Sequence, residues 1–194
     1  MNGKKLLLVF GLGVVGYSLF ASTPNKKGGA VDTDSTGSDD NKINFITKDL
    51  KEARSTRNNN PGNVKSVKSS TSSEWQGAKD YDEIGHVIFK NYIWGTRAFI
   101  RDVLTKINKR GLNTINKFLP VYCPKSDNCP VATYIAYVEK QSGVNRNTNL
   151  QGASNATIFK VLLAMAQYEG GKYASGKYRT KFNQYFFDEA MKIM

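Results

Sequence analysis

The residue best placed to do chemistry in this chain is a carboxylate at the end of an apolar helical stripe. Ile158, Val161, Leu162 and Met165 recur at helical spacing, and a further step of three or four residues lands on Tyr168 and Glu169. Gly170-Gly171 follow at once and stop the helix. Glu169 therefore falls in the last turn, on the continuation of an apolar face and beside the negative end of the helix dipole. Desolvation, and to a smaller degree the dipole, raises a carboxyl pKa, which is the condition for donating a proton near neutral pH. The competing reading makes Glu169 a solvated cap residue beyond a stripe that ends at Met165.

A second group of residues suits binding. In Arg57-Asn58-Asn59-Asn60-Pro61-Gly62-Asn63 the amides offer donors and acceptors, Pro61 fixes its own φ, and Gly62 is free to take the positive φ of a type II turn. A rigid loop lined with amides fits carbohydrate; the alternative is an ordinary solvated loop. Cys123 and Cys129 bracket a third polar segment that presents Asp127 and Asn128. In an exported domain the two cysteines close a small disulfide loop; in a reducing compartment they are two buried thiols.

Other enzyme classes fail by inventory. One histidine, His86, and two cysteines are too few for a zinc site, so no metal and no cofactor is expected. A Ser-His-Asp or Cys-His arrangement would have to use His86, which reads more simply as a partly buried aromatic. Gly11-Leu12-Gly13-Val14-Val15-Gly16 matches a dinucleotide fingerprint on paper. Pro24 and Lys26-Lys27-Gly28-Gly29 end any helix within two turns, so the nucleotide reading is rejected.

The elements that must position these residues follow from composition. Residues 1–22 hold Lys4-Lys5 and an uncharged run from Leu6 to Ser22, a membrane anchor or a signal peptide. Leu19 or Phe20 would stand three residues before a cleavage point, which favours an uncleaved anchor with an exported C-terminal domain. Residues 23–42 are polar and read as a disordered tether. They contain four of the sixteen acids, which concentrates the formal charge of +12 in the remainder. Residues 43–194 read as one mainly α domain, α+β with a minor β element at His86 to Phe89. Helices are expected at Ile43–Arg54, through Phe99–Ile107 with a cap at Gly111, and at Thr114–Leu119 before Pro120. Three more are expected from Pro130 to Gly143, at Ala156–Glu169 and at Thr180–Met194. The strip from Ser66 to Ser73 reads as a loop.

Several of these pieces, in order, resemble one family of bacteriophage and prophage proteins. The landmarks are Arg57-Asn58-Asn59-Asn60-Pro61-Gly62-Asn63-Val64, Trp75-Gln76-Gly77, Phe89, Gly95-Thr96-Arg97-Ala98, Gly111-Leu112-Asn113-Thr114-Ile115, Pro124 to Asn128, Thr133-Tyr134-Ile135 and Glu169-Gly170-Gly171. The family is often labelled virion structural protein and is similar to the peptidoglycan-degrading enzymes of membrane-containing phages. The resemblance covers about residues 54 to 175 and implies a lysozyme-like, mostly helical fold acting on the glycan strand. It departs at Tyr122-Cys123-Pro124-Lys125-Ser126-Asp127-Asn128, where the family has a Trp-Ala-Pro-x-Ser-Glu-Asn type segment, and at Gly170, where the family tends to have Asn.

The expectation is a single-glutamate lytic transglycosylase or muramidase. Glu169 is the acid/base, Asp127 the first reserve carboxylate, Asn58, Asn60, Asn63 and Tyr134 position sugar groups, and Arg57 or Arg97 meets anionic parts of the peptide stem. Peptidoglycan is the expected partner, with a lipid membrane held through residues 5–22 and other virion proteins nearby. The expected location is the virion membrane or the host inner membrane. A second class of function is a non-catalytic basic virion component that binds cell wall, lipid or nucleic acid through charge. Lys and Arg are interleaved with acids and form no groove-entering helix, so sequence-specific nucleic-acid binding is not expected.

Overall fold

The computed structural model describes residues 43–68 and 74–194. The expected anchor and tether, and residues 69–73 of the expected polar loop, lie outside the described residues. Among the described residues six α-helices and one hairpin make a mainly helical domain with a small sheet: α1 (Arg54–Arg57), β1 (Ala78–Tyr81), β2 (Val87–Phe89), α2 (Tyr92–Asn108), α3 (Ile115–Tyr122), α4 (Val131–Ser142), α5 (Asn155–Gly170) and α6 (Gln184–Lys192). A single 3-10 turn, Lys125–Asp127, follows α3. Among the described residues no helix is long and apolar enough to cross a membrane.

Polar side chains set most helix starts. Asn91, Thr114, Ser154 and Asn183 each accept a hydrogen bond from a backbone N–H of the first turn of α2, α3, α5 and α6. These caps correct two expected boundaries. Asn91 starts α2 at Tyr92, a full turn and more before the apolar stripe, and Asn183 starts α6 at Gln184 instead of Thr180. The helix expected at Ile43–Arg54 does not form. Phe45 donates its N–H to Asn59 Oδ1 at 2.7 Å and sets its ring 5.2 Å from Tyr92, so the segment is held as a strap across the core. Pro120 does not stop α3, which runs on to Tyr122. Ile115, Phe118 and Leu119 are wholly buried, and their packing offsets the one hydrogen bond that proline removes.

The core is built around α5. Its stripe Ile158, Val161, Leu162 and Met165 meets Tyr134, Ile135 and Val138 of α4, while Phe99, Ile100, Val103 and Ile107 of α2 pack with Phe186, Phe187 and Ala190 of α6. The short helix α1 also packs on α5. That contact carries the asparagine loop to the C-terminal half of the helix that ends in Glu169. The antiparallel pair β1–β2, extended by a bridge between Lys65 and His86, covers the loop from the other side with Val64, Val87, Phe89 and Ala98 as a second small core.

Candidate functional site

Glu169 lies in the last turn of α5, and Gly171, at φ 62°, ends the helix behind it. The side chain is largely buried, and the opening it keeps is onto a cleft of about 620 Å³. Asn63 donates from Nδ2 to Oε2 at 2.9 Å, and the Tyr134 hydroxyl donates to Oε1 at 2.8 Å. Burial pushes its pKa above the ordinary 4.5, and the two donated bonds pull it only part of the way back. Among the described residues no cation pairs with it.

The asparagine loop divides into two parts. Asn60 is fully buried, donates from Nδ2 to the carbonyls of Val64 and Val87 at 2.9 Å each, and accepts the Val64 N–H at 2.9 Å. Asn59 bonds Asn44 and the Phe89 carbonyl, and Asn58 donates to Asp82 Oδ2 at 2.9 Å. Positive φ falls on Asn59 and Asn63, at 50° and 48°, a conformation that asparagine tolerates better than most residues. Gly62 needs no positive φ. It is glycine for room, because a Cβ there would stand 2.3 Å from the Phe99 ring. Gly95 is held the same way, since its Cβ would lie 1.8 Å from the Asn59 carbonyl oxygen.

The structure places five of the six expected sugar or stem contacts away from the cleft. Asn58 and Asn60 turn their amides into the fold, so they do not line the cleft. Arg97 donates from Nε to the Ile193 carbonyl at 2.7 Å and sits 5.9 Å over the Trp94 ring, a contact that ties α2 to the C-terminus. Arg57 is not among the cleft residues either. Tyr134 is fully buried and stacked 3.9 Å from Tyr168, so its hydroxyl serves Glu169. Of the expected substrate contacts, Asn63 alone faces the cleft. Asp127 lines it too, exposed and paired with Lys65 at 2.8 Å, and Cys123 and Cys129 are joined as a disulfide.

The remaining walls come from residues with no expected site role. Lys65, Trp75 and His86 belong to the loop and hairpin, Asp102 and Lys106 to α2, and Tyr122 to α3. Each Lys or Arg of the cleft has an acid beside it. Arg54 pairs with Asp82 and Glu83, Lys65 with Asp127, and Lys106 with Asp102 at 2.5 Å. The cleft is thus charge-balanced despite the basic composition, which disfavours a polyanion as its occupant. His86 contacts Asp82 at 3.3 Å, and burial holds its pKa below the ordinary 6.5. Trp75 presents an indole whose Nε1 is tied to the Lys65 carbonyl at 2.9 Å. One signal for this wall was available: Asp102 and Lys106 stand four apart, on one face of α2. Among the described residues no cluster of three His, Cys, Asp or Glu could hold a metal ion.

No family model matches the chain. Over 149 residues, 76% of this chain and 84% of the relative, it is 31% identical to protein P5 of Pseudoalteromonas phage PM2. The chain belongs to the P5 family. Membership places it among bacteriophage proteins, in line with the kind of family that the ordered landmarks resemble.

Proposed function

We propose that this P5-family chain is a virion-associated lytic enzyme with a lysozyme-like domain that cleaves the glycan strand of peptidoglycan, with Glu169 as its one acid/base. The observation that carries the reading is a desolvated carboxyl with raised pKa, free of any cationic partner among the described residues, opening into a charge-balanced cleft. A carboxyl in that setting donates a proton to the glycosidic oxygen as the C1–O bond breaks. In the transglycosylase course the 6-hydroxyl of the same muramoyl sugar then attacks C1. Its proton returns to Glu169, and the product ends in a 1,6-anhydro ring. The acid is regenerated without water or a second carboxylate. Asp127, exposed and paired with Lys65, is the reserve for a hydrolytic course.

Turbidity loss of purified peptidoglycan tests the reading. Wild type clears the suspension, and Glu169→Gln, which keeps the shape and removes the transferable proton, slows clearing at least about 100-fold. Retention of most activity in the variant removes Glu169 from the role. Mass spectrometry of the products then separates anhydro ends from reducing ends. Residues 5–22 would hold the enzyme in the virion membrane or the host inner membrane, beside other virion proteins. A non-catalytic basic coat component predicts a different pattern: salt-sensitive binding to vesicles or DNA, and no clearing by any form.

A further inference from the structure

Asn63 is held from both flanks by the end of α3 and the small loop that follows it. On its N-terminal side, the Tyr122 hydroxyl donates to the carbonyl oxygen of Gly62, and Gly62 itself is wedged between Phe99 and Tyr122. On its C-terminal side, Lys65 Nζ reaches Asp127 Oδ2 at 2.8 Å. Tyr122 is the residue before Cys123, and Asp127 lies inside the ring that Cys123 and Cys129 close. The two contacts, three residues apart at Gly62 and Lys65, come from the two sides of one half-cystine, Cys123, and the disulfide ties those sides together. The amide between them donates to Glu169. It does so from a left-handed backbone, which a chain released on either side would leave readily.

We infer that the Cys123–Cys129 disulfide is a clamp on the segment that carries Asn63, so that the setting of Glu169 follows the redox state of the two cysteines. The inference rests on the proposed role of Glu169. With the bridge intact, the end of α3 and the 3-10 turn are one unit, and Tyr122 and Asp127 hold Gly62 and Lys65 together. A dithiol reductant gives two electrons and two protons to the bridge, is itself oxidised to a cyclic disulfide and leaves two protein thiols. The ring then opens, the two holds become independent, and Asn63 loses its fixed distance to Oε2. Tyr122 and Asp127 act here as positioning residues. Such a clamp would be loose in a chain made in a reducing compartment and would tighten once the chain reached oxidising surroundings.

The groups that face Glu169 are Tyr122 from α3, Tyr134 from α4 and its neighbour Tyr168, with the Asp102–Lys106 pair of α2 beyond Tyr122. The tyrosines are held above the ordinary value of 10, so none of them titrates in the range where Glu169 does. Glu169 can therefore be followed by carboxyl-carbon NMR in the full chain labelled at glutamate, with the signal assigned by Glu169→Gln. Loss of the Asn63 donor destabilises the anion, so full reduction, checked by thiol titration, should raise the Glu169 midpoint by about one pH unit and reoxidation should restore it. Cys123→Ser with Cys129→Ser should show the raised midpoint and no response to reductant, and Tyr122→Phe should raise it in the oxidised protein. In turnover the same treatments should lower kcat and move the pH profile upward. A midpoint that stays within about 0.2 pH units on complete reduction overturns the clamp. A midpoint that moves in a protein that clears no peptidoglycan keeps the clamp and overturns the lytic reading.

Discussion

Asn60 and Asn63 are the same residue type three positions apart, and the fold uses them in opposite ways. Asn60 donates two hydrogen bonds to and accepts one from the backbone of its own loop and of β2, and it sees no solvent. Asn63 turns its amide outward to a carboxylate at the floor of the cleft. An amide is equally able to close a backbone ladder and to orient an acid. What separates the two is the direction in which the chain carries the side chain, and that direction is set by a glycine wedged at position 62 and a left-handed step at 63. The loop divides its amides: one part is a knot that holds structure, the other holds the buried carboxyl of Glu169.

Substitutions on the two sides should therefore fail differently, and the largest contrast is at Glu169. Glu169→Gln is expected to lose at least about 100-fold in clearing rate while becoming no less stable. The sign follows from linkage. Glu169 has a folded pKa above its unfolded value, so the folded state binds more protons and stability falls as pH rises from the unfolded value of 4.5 through the folded one. The glutamine variant escapes that loss. Urea unfolding at pH 4 and pH 7 should show its advantage over wild type growing with pH, and an advantage that shrinks with pH would mean that Glu169 is stabilised as the anion.

Asn60→Ala is the opposite case. It leaves the Val64 N–H without the Asn60 oxygen and takes the amide donor from the carbonyls of Val64 and Val87, the first of which keeps the Val87 N–H. The cost should be about 3 kcal/mol in unfolding free energy, near 1 kcal/mol for each lost bond, with the clearing rate per folded molecule unchanged. A rate that falls before stability does would move Asn60 to the cleft side of the comparison. Asn63→Gly tests the same division from the other end. Glycine accepts the φ of 48° without strain and removes only the amide, so stability should change by less than about 1 kcal/mol while kcat falls about 10-fold.

The division was half legible in the sequence. Glu169 could be found because an acid at helical spacing from Ile158, Val161, Leu162 and Met165 has only one face to occupy, and periodicity reports faces. The helices α4 and α5 were legible for the same reason. Periodicity does not report which way a loop amide points, so Asn58, Asn60 and Asn63 looked alike until the hairpin gave Asn58 and Asn60 their partners. Arg97 looked like an anion ligand because its own bond, to the carbonyl of Ile193, joins residues 96 positions apart. β1 was missed since Ala78-Lys79-Asp80-Tyr81 has no apolar alternation to see, being exposed along three of its four residues. Pro120 misled because the rule against internal proline is local, and the burial of Phe118 and Leu119 that overrides it is not.

The smallest effect is expected where the two regions meet at the rim. Lys65 and Asp127 form an ion pair with side chains 48% and 41% exposed, so water and salt screen it. Asp127→Asn should alter unfolding free energy by less than about 1 kcal/mol, and that difference should vanish at high ionic strength. Its effect on clearing separates two roles for the carboxylate. If Asp127 only holds Lys65, then raising the salt concentration should bring wild type down to the level of Asp127→Asn, because the pair is what salt weakens. If Asp127 instead acts on substrate as the second carboxylate of a hydrolase, the variant should lose activity at every ionic strength, and reducing-end products should disappear from the wild-type pattern when it is replaced. The charge balance of the cleft favours the first result, since Lys65 already pairs with one Asp127 oxygen.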